Sequence, residues 1–313
     1  MELEVRHLRV VCAIAETGSL TRAAAALRMA QPGLTAQLQR VERVLGGPLF
    51  TRDRRGAVPT ALGNLVLSRA RAVLPALDDL KLAATLSSGE SLAVLRVGTV
   101  NAGFAGALIR RLRATFAEAD FTTRAQSCAT PLIELVAEGR LELAVVGDCP
   151  GYEIAPRPGV TLLPVHTEPI FALLPEDHPL TEQSEVDLKD LAAIEWTLPP
   201  DDDDRVWEYY TEVFGQSGVE PRIAHQVEGV LVFDLIRSLR VASLCQATCV
   251  PPDGVVVRPI SRTPLWYRHV LAWNTNGPLA AHADTLAELA HDSYEETATR
   301  SQTYGEWRRA QLR

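Results

Sequence analysis

Three polar side chains within seven residues could read a nucleic acid: Gln31, Thr35 and Gln37, on a segment opened by Pro32. A glutamine amide can hold adenine through two hydrogen bonds, and a threonine can offer a base edge its hydroxyl or its methyl. Arg52, Arg54 and Arg55 follow, guanidinium groups able to clamp phosphates or enter a narrow minor groove. Upstream, Ser19, Thr21 and Arg22 stand where a helix would begin, in reach of phosphates, although capping alone would account for the first two. The competing reading takes the glutamines and threonine as a solvated stripe on an amphipathic helix, and the arginines as solubilising charge.

Elsewhere the chemistry is sparse. There is no phosphate loop and no nucleophile elbow, and the seven histidines show no metal-ligand spacing. The expectation is therefore a protein that is not an enzyme and carries no metal or cofactor. Cys245 and Cys249, four residues apart, could suggest a redox or metal pair, but without a basic or histidine neighbour the favoured reading is a pair of buried, inert thiols. Asp201 to Asp204 either complement the dipole of a following helix or line a cleft and repel anions.

The elements that must position these groups follow from periodicity. Leu8, Val11, Cys12 and Ala15 mark one face of a first helix, which Gly18 ends. An Ala-rich second helix spans 22–27, and a third has the stripe Leu34, Leu38, Val41 and Leu45 before Gly46 and Gly47. Two short helices joined by a tight turn make the DNA-binding helix-turn-helix pattern. A charged hairpin then reads as a wing, and a long helix runs from 61 to about 87, with a kink or split expected at Pro75. Beyond the flexible stretch 87–91, strands and helices alternate, the pattern of an α/β parallel sheet in two lobes. The expected divisions are a winged helix-turn-helix over 1–60, a linker helix and hinge over 61–90, and a ligand-sensing domain over 91–297. Its first lobe takes 91–165 and 270–297, its second 166–269, and 298–313 read as a polar tail.

Charge separates the same parts. Residues 1–60 hold nine arginines against five acids, a net +4, whereas the whole chain carries −8 and the remainder therefore −12. A basic head on an acidic body fits a DNA-binding module joined to something that does not touch DNA. No apolar run approaches the roughly 20 residues that span a bilayer. The start MELEVRHLRVV is no signal peptide, so a cytoplasmic protein with reduced cysteines is expected.

The spacing across Val11 to Leu27, then QPGLTAQLQRVERVLGGPLFTR over 31–52 and PTALG over 59–63, resembles the LysR family of bacterial transcription regulators. The likeness is specific over about the first ninety residues; later it rests on lobe order and phrases such as LVAEGRLELAVVG (135–147). Ala30, Gly33 and Ala36 depart from the family's usual serine, alanine and long polar residue. The resemblance implies a winged helix-turn-helix, a linker helix and a two-lobed Rossmann-like, periplasmic-binding-protein-like domain. It also implies double-stranded DNA with an imperfect dyad as one partner and a small-molecule effector as another. Self-association into a dimer through the linker helix, and onward into a tetramer, is expected, with no membrane partner.

In open α/β sheets ligands bind at the carboxyl ends of strands. Thr99, Val100 and Asn101 after the first strand, and Ser127, Cys128 and Thr130 after the second, are candidates on that ground. The resemblance supports both places and adds the 197–202 loop, with Pro200 and Asp201. Helix caps and turn residues are the plainer reading of each. The acidic body argues for a neutral or cationic effector. A solute-binding protein and a metabolite-acting enzyme stand as alternatives.

Overall fold

The computed structural model describes residues 3–53, 56–86, 92–200, 205–262 and 264–312. The chain divides into two compact units, Met1–Glu90 and Ser91–Arg313.

In the first unit, α1 (Val5–Thr17) begins where the Glu4 N–H donates to His7 Nδ1 at 3.1 Å, and ends at Gly18, which takes the left-handed backbone at φ 62°. Ser19 opens α2 (Leu20–Ala26) by accepting the Arg22 N–H at 3.5 Å. A turn through Arg28 leads to α3 (Gln31–Leu45), whose Pro32 sits in the first turn, where a missing N–H leaves no bond unmade. Val10, Val11, Ile14, Ala23, Leu34, Leu38, Val41 and Leu49 close one core between the three helices. Strands β1 (Phe50–Asp53) and β2 (Gly56–Pro59) pair antiparallel as the wing.

The wing is tied to the α1–α2 turn by backbone alone. The Ala57 N–H donates to the Gly18 carbonyl at 2.9 Å, and a Cβ on Gly56 would stand 2.3 Å from that same oxygen. With φ at 112° as well, position 56 admits only glycine. Thr60 then starts α4 (Ala61–Leu86), accepting the Gly63 N–H at 3.0 Å while its hydroxyl donates to Pro48 O at 2.7 Å. Of the kink or split expected at Pro75, the split does not occur: the chain stays α-helical through it. Proline there forgoes one bond, to Arg71, and the Ala- and Leu-rich turns on either side carry the helix across.

The second unit opens as expected, with β3 (Val94–Thr99), α5 (Ala105–Thr115), β4 (Asp120–Ala125), α6 (Ala129–Ala137) and β5 (Leu143–Asp148). It continues through β6 (Val160–Pro175), β7 (Glu195–Leu198), α7 (Val206–Gln216), β8 (Arg222–Gln226), α8 (Val230–Leu239), β9 (Ala242–Gln246), β10 (Val255–Arg258), β11 (Trp266–Asn274), α9 (Ala283–Ala298) and α10 (Gln302–Gln311). The sheet order is β4-β3-β5-β11-β6-β9-β7-β8, with β10 added on β6. Parallel triplets lie at each end, and the antiparallel strands β11 and β6 join them.

Two features differ from the sequence reading. The second lobe has no opening strand of its own: β6 runs for 16 residues, pairing β11 up to Pro169 and β9 from Ile170. Pro164 and the polar pair Thr167 and Glu168 interrupt the apolar pattern, yet Pro164 is tolerated because the ladder shifts register opposite it, between His269 and Val270. The expected polar tail is largely α10. Its Tyr304 is buried, its Trp307 packs on the core, and Ser301 caps it by accepting the Tyr304 N–H at 3.4 Å while donating to Ala247 O at 2.8 Å. No described helix is long and apolar enough to cross a membrane.

Candidate nucleic-acid interface and ligand cleft

On α3 the core takes Leu34, Leu38 and Val41, so helical geometry turns Pro32, Ala36, Gln39, Arg40 and Arg43 outward, and all five are exposed. Gln31 is exposed beside them and Thr35 is half-buried on the flank. Gln37 is also half-buried, and its Oε1 is enclosed without a hydrogen-bond partner among the described residues, so it leans on the core edge. Thr21 and Arg22 are exposed at the start of α2, whereas Ser19 is half-buried and engaged in its cap. Arg52 lies on β1 opposite Ala57; Arg54 and Arg55 fall outside the described residues. Among the described residues Arg22, Arg28, Arg40 and Arg43 have no ion-pair partner, which leaves their charge available to an anion.

Sequence reasoning passed over Gln39 and Arg40. The signal is in the sequence, because both lie opposite the Leu34–Leu38–Val41 stripe. Gly33 meets nothing within 4 Å, so the missing side chain leaves the outer surface flatter there.

In the second unit a cavity of about 590 Å³ opens between the lobes. Val100, Asn101, Ser127 and Pro200 line it, so four of the eight candidate effector residues come together. Thr99 borders an adjoining hollow with its hydroxyl turned to Val100 O at 2.7 Å. Cys128 and Thr130 line neither space, since they begin α6, and Asp201 falls outside the described residues together with the other three aspartates. Most of the wall was not anticipated: Trp207 and Tyr210 of α7, Val230 and Phe233 of α8, and Tyr267 of β11. Tyr267 reaches in because Gly147 makes room, for a Cβ there would lie 2.2 Å from the phenol oxygen. Burial holds the Tyr210 hydroxyl well above its ordinary pKa and pushes Tyr209 up to about 12, so both stay protonated.

Polar contacts at the cleft include a bridge between the lobes and, beside it, a buried network. Gln246, at the end of β9, donates to Asn101 O at 2.9 Å and accepts the Gly103 N–H at 3.2 Å. Below it, the fully buried Glu168 accepts from Thr248 N at 2.8 Å and Thr248 Oγ1 at 3.2 Å, and lies 2.5 Å from His269 Nε2. Asp148, at the end of β5, takes two hydrogen bonds from Arg268 at 2.8 and 2.7 Å, the ion pair keeping the guanidinium charged.

Among the described residues no group of three side chains could hold a metal ion. A basic helix-turn-helix followed by a hollow, two-lobed α/β unit defines a regulator that couples a DNA-reading head to a ligand-holding body.

A family model described as the LysR substrate binding domain matches residues 88–295, and one described as bacterial regulatory helix-turn-helix protein, lysR family, matches residues 5–64. The small neutral protease regulatory protein of Streptomyces coelicolor is 37% identical over 308 residues, covering 98% of this chain and 92% of its own. Among solved structures, CbnR, a LysR family transcriptional regulator, superposes with a TM-score of 0.66 at 22% identity, over 92% of this chain and 99% of its own. CbnR complexed with its target DNA gives 0.66 at 20% identity and the same coverage. This chain belongs to the LysR family of helix-turn-helix transcription regulators.

Proposed function

We propose that α3 enters the major groove of an imperfect dyad, with Gln31, Thr35 and Gln39 toward base edges and Arg22, Arg40, Arg43 and the wing arginines on phosphates. The observation that carries this reading is the outward face of α3, where polar and unpaired basic side chains stand exposed opposite a closed apolar core. Two copies supply two such faces. Leu65 and Val73 on α4 are 57% and 49% exposed, an apolar face that a second α4 would cover in a dimer. Pairing of the sensing units would extend the dimer to a tetramer, and a protein that meets chromosomal DNA in a bacterium acts in the cytoplasm.

In the cleft we place a small effector that is neutral or cationic. Among the described lining residues only Glu228 and Arg300 are charged, one of each sign, and both are engaged by other groups of the protein. The rest of the wall is largely apolar with a few hydrogen-bonding groups, the composition of a small-molecule site. The test is a gel shift against salt. Replacing Gln31 or Thr35 with Ala should cost about 1 to 3 kcal/mol at the operator and relax specificity, whereas Arg52→Ala should weaken all DNA alike and flatten the salt slope. Binding that ignored salt would reject the interface.

A further inference from the structure

Among the described residues, the turn that follows β9 is pinned from three sides. From β6, the Glu168 carboxylate accepts the Thr248 N–H and hydroxyl at 2.8 and 3.2 Å, and Pro169 O accepts the Ala247 N–H at 3.1 Å. Across the cleft, Gln246 donates to Asn101 O at 2.9 Å and accepts the Gly103 N–H at 3.2 Å. From the far end of the chain, the Ser301 hydroxyl donates to Ala247 O at 2.8 Å. The approach is close as well, since a Cβ on Gly103 would stand 3.0 Å from Thr248 Oγ1. Ala247, Thr248 and Ser301 are all buried, where a polar group that loses its partner bears its full desolvation cost.

Ser301 is the joint between α9 and α10. Its oxygen caps α10 by accepting the Tyr304 N–H at 3.4 Å, while its proton goes to the turn, so one hydroxyl holds both. α10 is fastened in its own right. The Tyr294 hydroxyl donates to that of Tyr304 at 3.0 Å, Arg308 pairs with Glu295 at 2.9 Å, and the Trp307 ring lies 6.0 Å from Phe171 and 6.2 Å from Trp266. None of its residues lines the cavity, and all of them lie past the stretch 88–295 that matches the LysR substrate binding domain.

We propose that α10 is a brace on the sensing cleft: through Ser301 it fixes the turn after β9, and the turn carries that hold through Gln246 to the first-lobe loop at Asn101 and Gly103. Ser301 is a positioning residue, acting through Gln246, whose side chain stands in the cavity wall. With Ala247 O released, the turn rocks on its anchors to β6. The Gln246 carboxamide, both ends committed to one short loop, then loses its two bonds together. An effector that draws the lobes together over an unbraced turn must order the turn as it binds, which lowers its affinity. That last step rests on the cleft as the effector site. The bridge itself is measured without any ligand, so either reading can fail alone.

Hydrogen exchange at single amides of the full chain reads the bridge directly, because Gly103 is an exposed residue whose N–H has the Gln246 carboxamide as acceptor. Ser301→Ala should speed exchange at Gly103 about tenfold, with the β5 amides of Leu143 to Val146 unmoved. Ser301→Thr, which keeps the hydroxyl, should restore the parent rate. Gln246→Ala should release Gly103 fully, and adding Ser301→Ala to it should speed that amide no further. On the unmutated chain, the amides of Gly103, Ala247 and Thr248 should lose protection in step as urea is added, a readout that depends on no variant. Gly103 unmoved in Ser301→Ala, β5 loosened as much as Gly103, an additive effect in the double variant, or Gly103 opening apart from Ala247 and Thr248 would each overturn the brace.

Discussion

Residues 1–90 carry twelve basic against eight acidic side chains and present their polar groups on the convex face of a helix. Residues 91–313 carry nineteen basic against thirty-one acidic side chains and turn apolar walls around a cavity of about 590 Å³. The first unit recognises by what it exposes, with long-range charge drawing a polyanion and a few amides sorting sequences. The second recognises by enclosure, where desolvation gives each polar contact its weight. Damage to the first should therefore change affinity while leaving the fold alone, and damage to the second should appear first as instability.

The largest effect expected is at Trp196, fully buried with its ring 5.1 Å from that of Phe214. Trp196→Ala should cost about 3 to 5 kcal/mol, measured by urea unfolding of the second unit, with the transition of residues 1–90 unmoved; a common shift would mean the units do not unfold separately. Val73→Glu on α4 should weaken self-association by about 1.5 to 3 kcal/mol, the worth of one buried apolar side chain, and sedimentation showing the same oligomer would remove α4 as an interface. Gln39→Ala and Arg40→Ala should each lose about 1 to 3 kcal/mol at the operator, the arginine also reducing the salt slope by about one. Ser19→Ala should lower thermal stability by about 1 kcal/mol or less as a lost cap; a fall in DNA affinity at unchanged melting temperature would make Ser19 a phosphate contact instead.

The smallest effect concerns acid. His166, stacked on Tyr294 with ring centroids 4.0 Å apart, has its pKa lowered from 6.5 mainly by burial. Below that value the unfolded chain binds a proton more readily than the folded one, so this contribution is complete above pH 6.5 and is lost as pH falls beneath it. In His166→Phe the matching part of the pH slope should vanish, with stability near neutrality affected only through packing.

The head was legible because its groups are neighbours in sequence. Gly18, Pro32 and Gly46 punctuate helices whose stripes repeat at three and four residues, and they stand in the structure where periodicity put them. The cleft was half legible. Strand ends located Val100, Asn101 and Ser127, but Gln246 and Tyr267 meet Asn101 and Gly147 across more than a hundred residues of chain, which no local pattern encodes. Charge was misleading at the end of the chain, where Arg308 and Arg309 hid the stripe of Tyr304 and Trp307.

The shared strand β6 bears on how the sensing unit breathes. Flanked by β11 along its first part and by β9 and β10 along its last, it leaves few amides near an opening edge. In deuterium the N–H groups around Glu168 to Leu173 should be among the last to exchange, released only when the whole unit opens, while the outer strands β4 and β8 exchange from each end by local fraying. The two lobes would then melt as a single foldon, and an occupied cleft would slow exchange at their rims far more than along the strand that joins them.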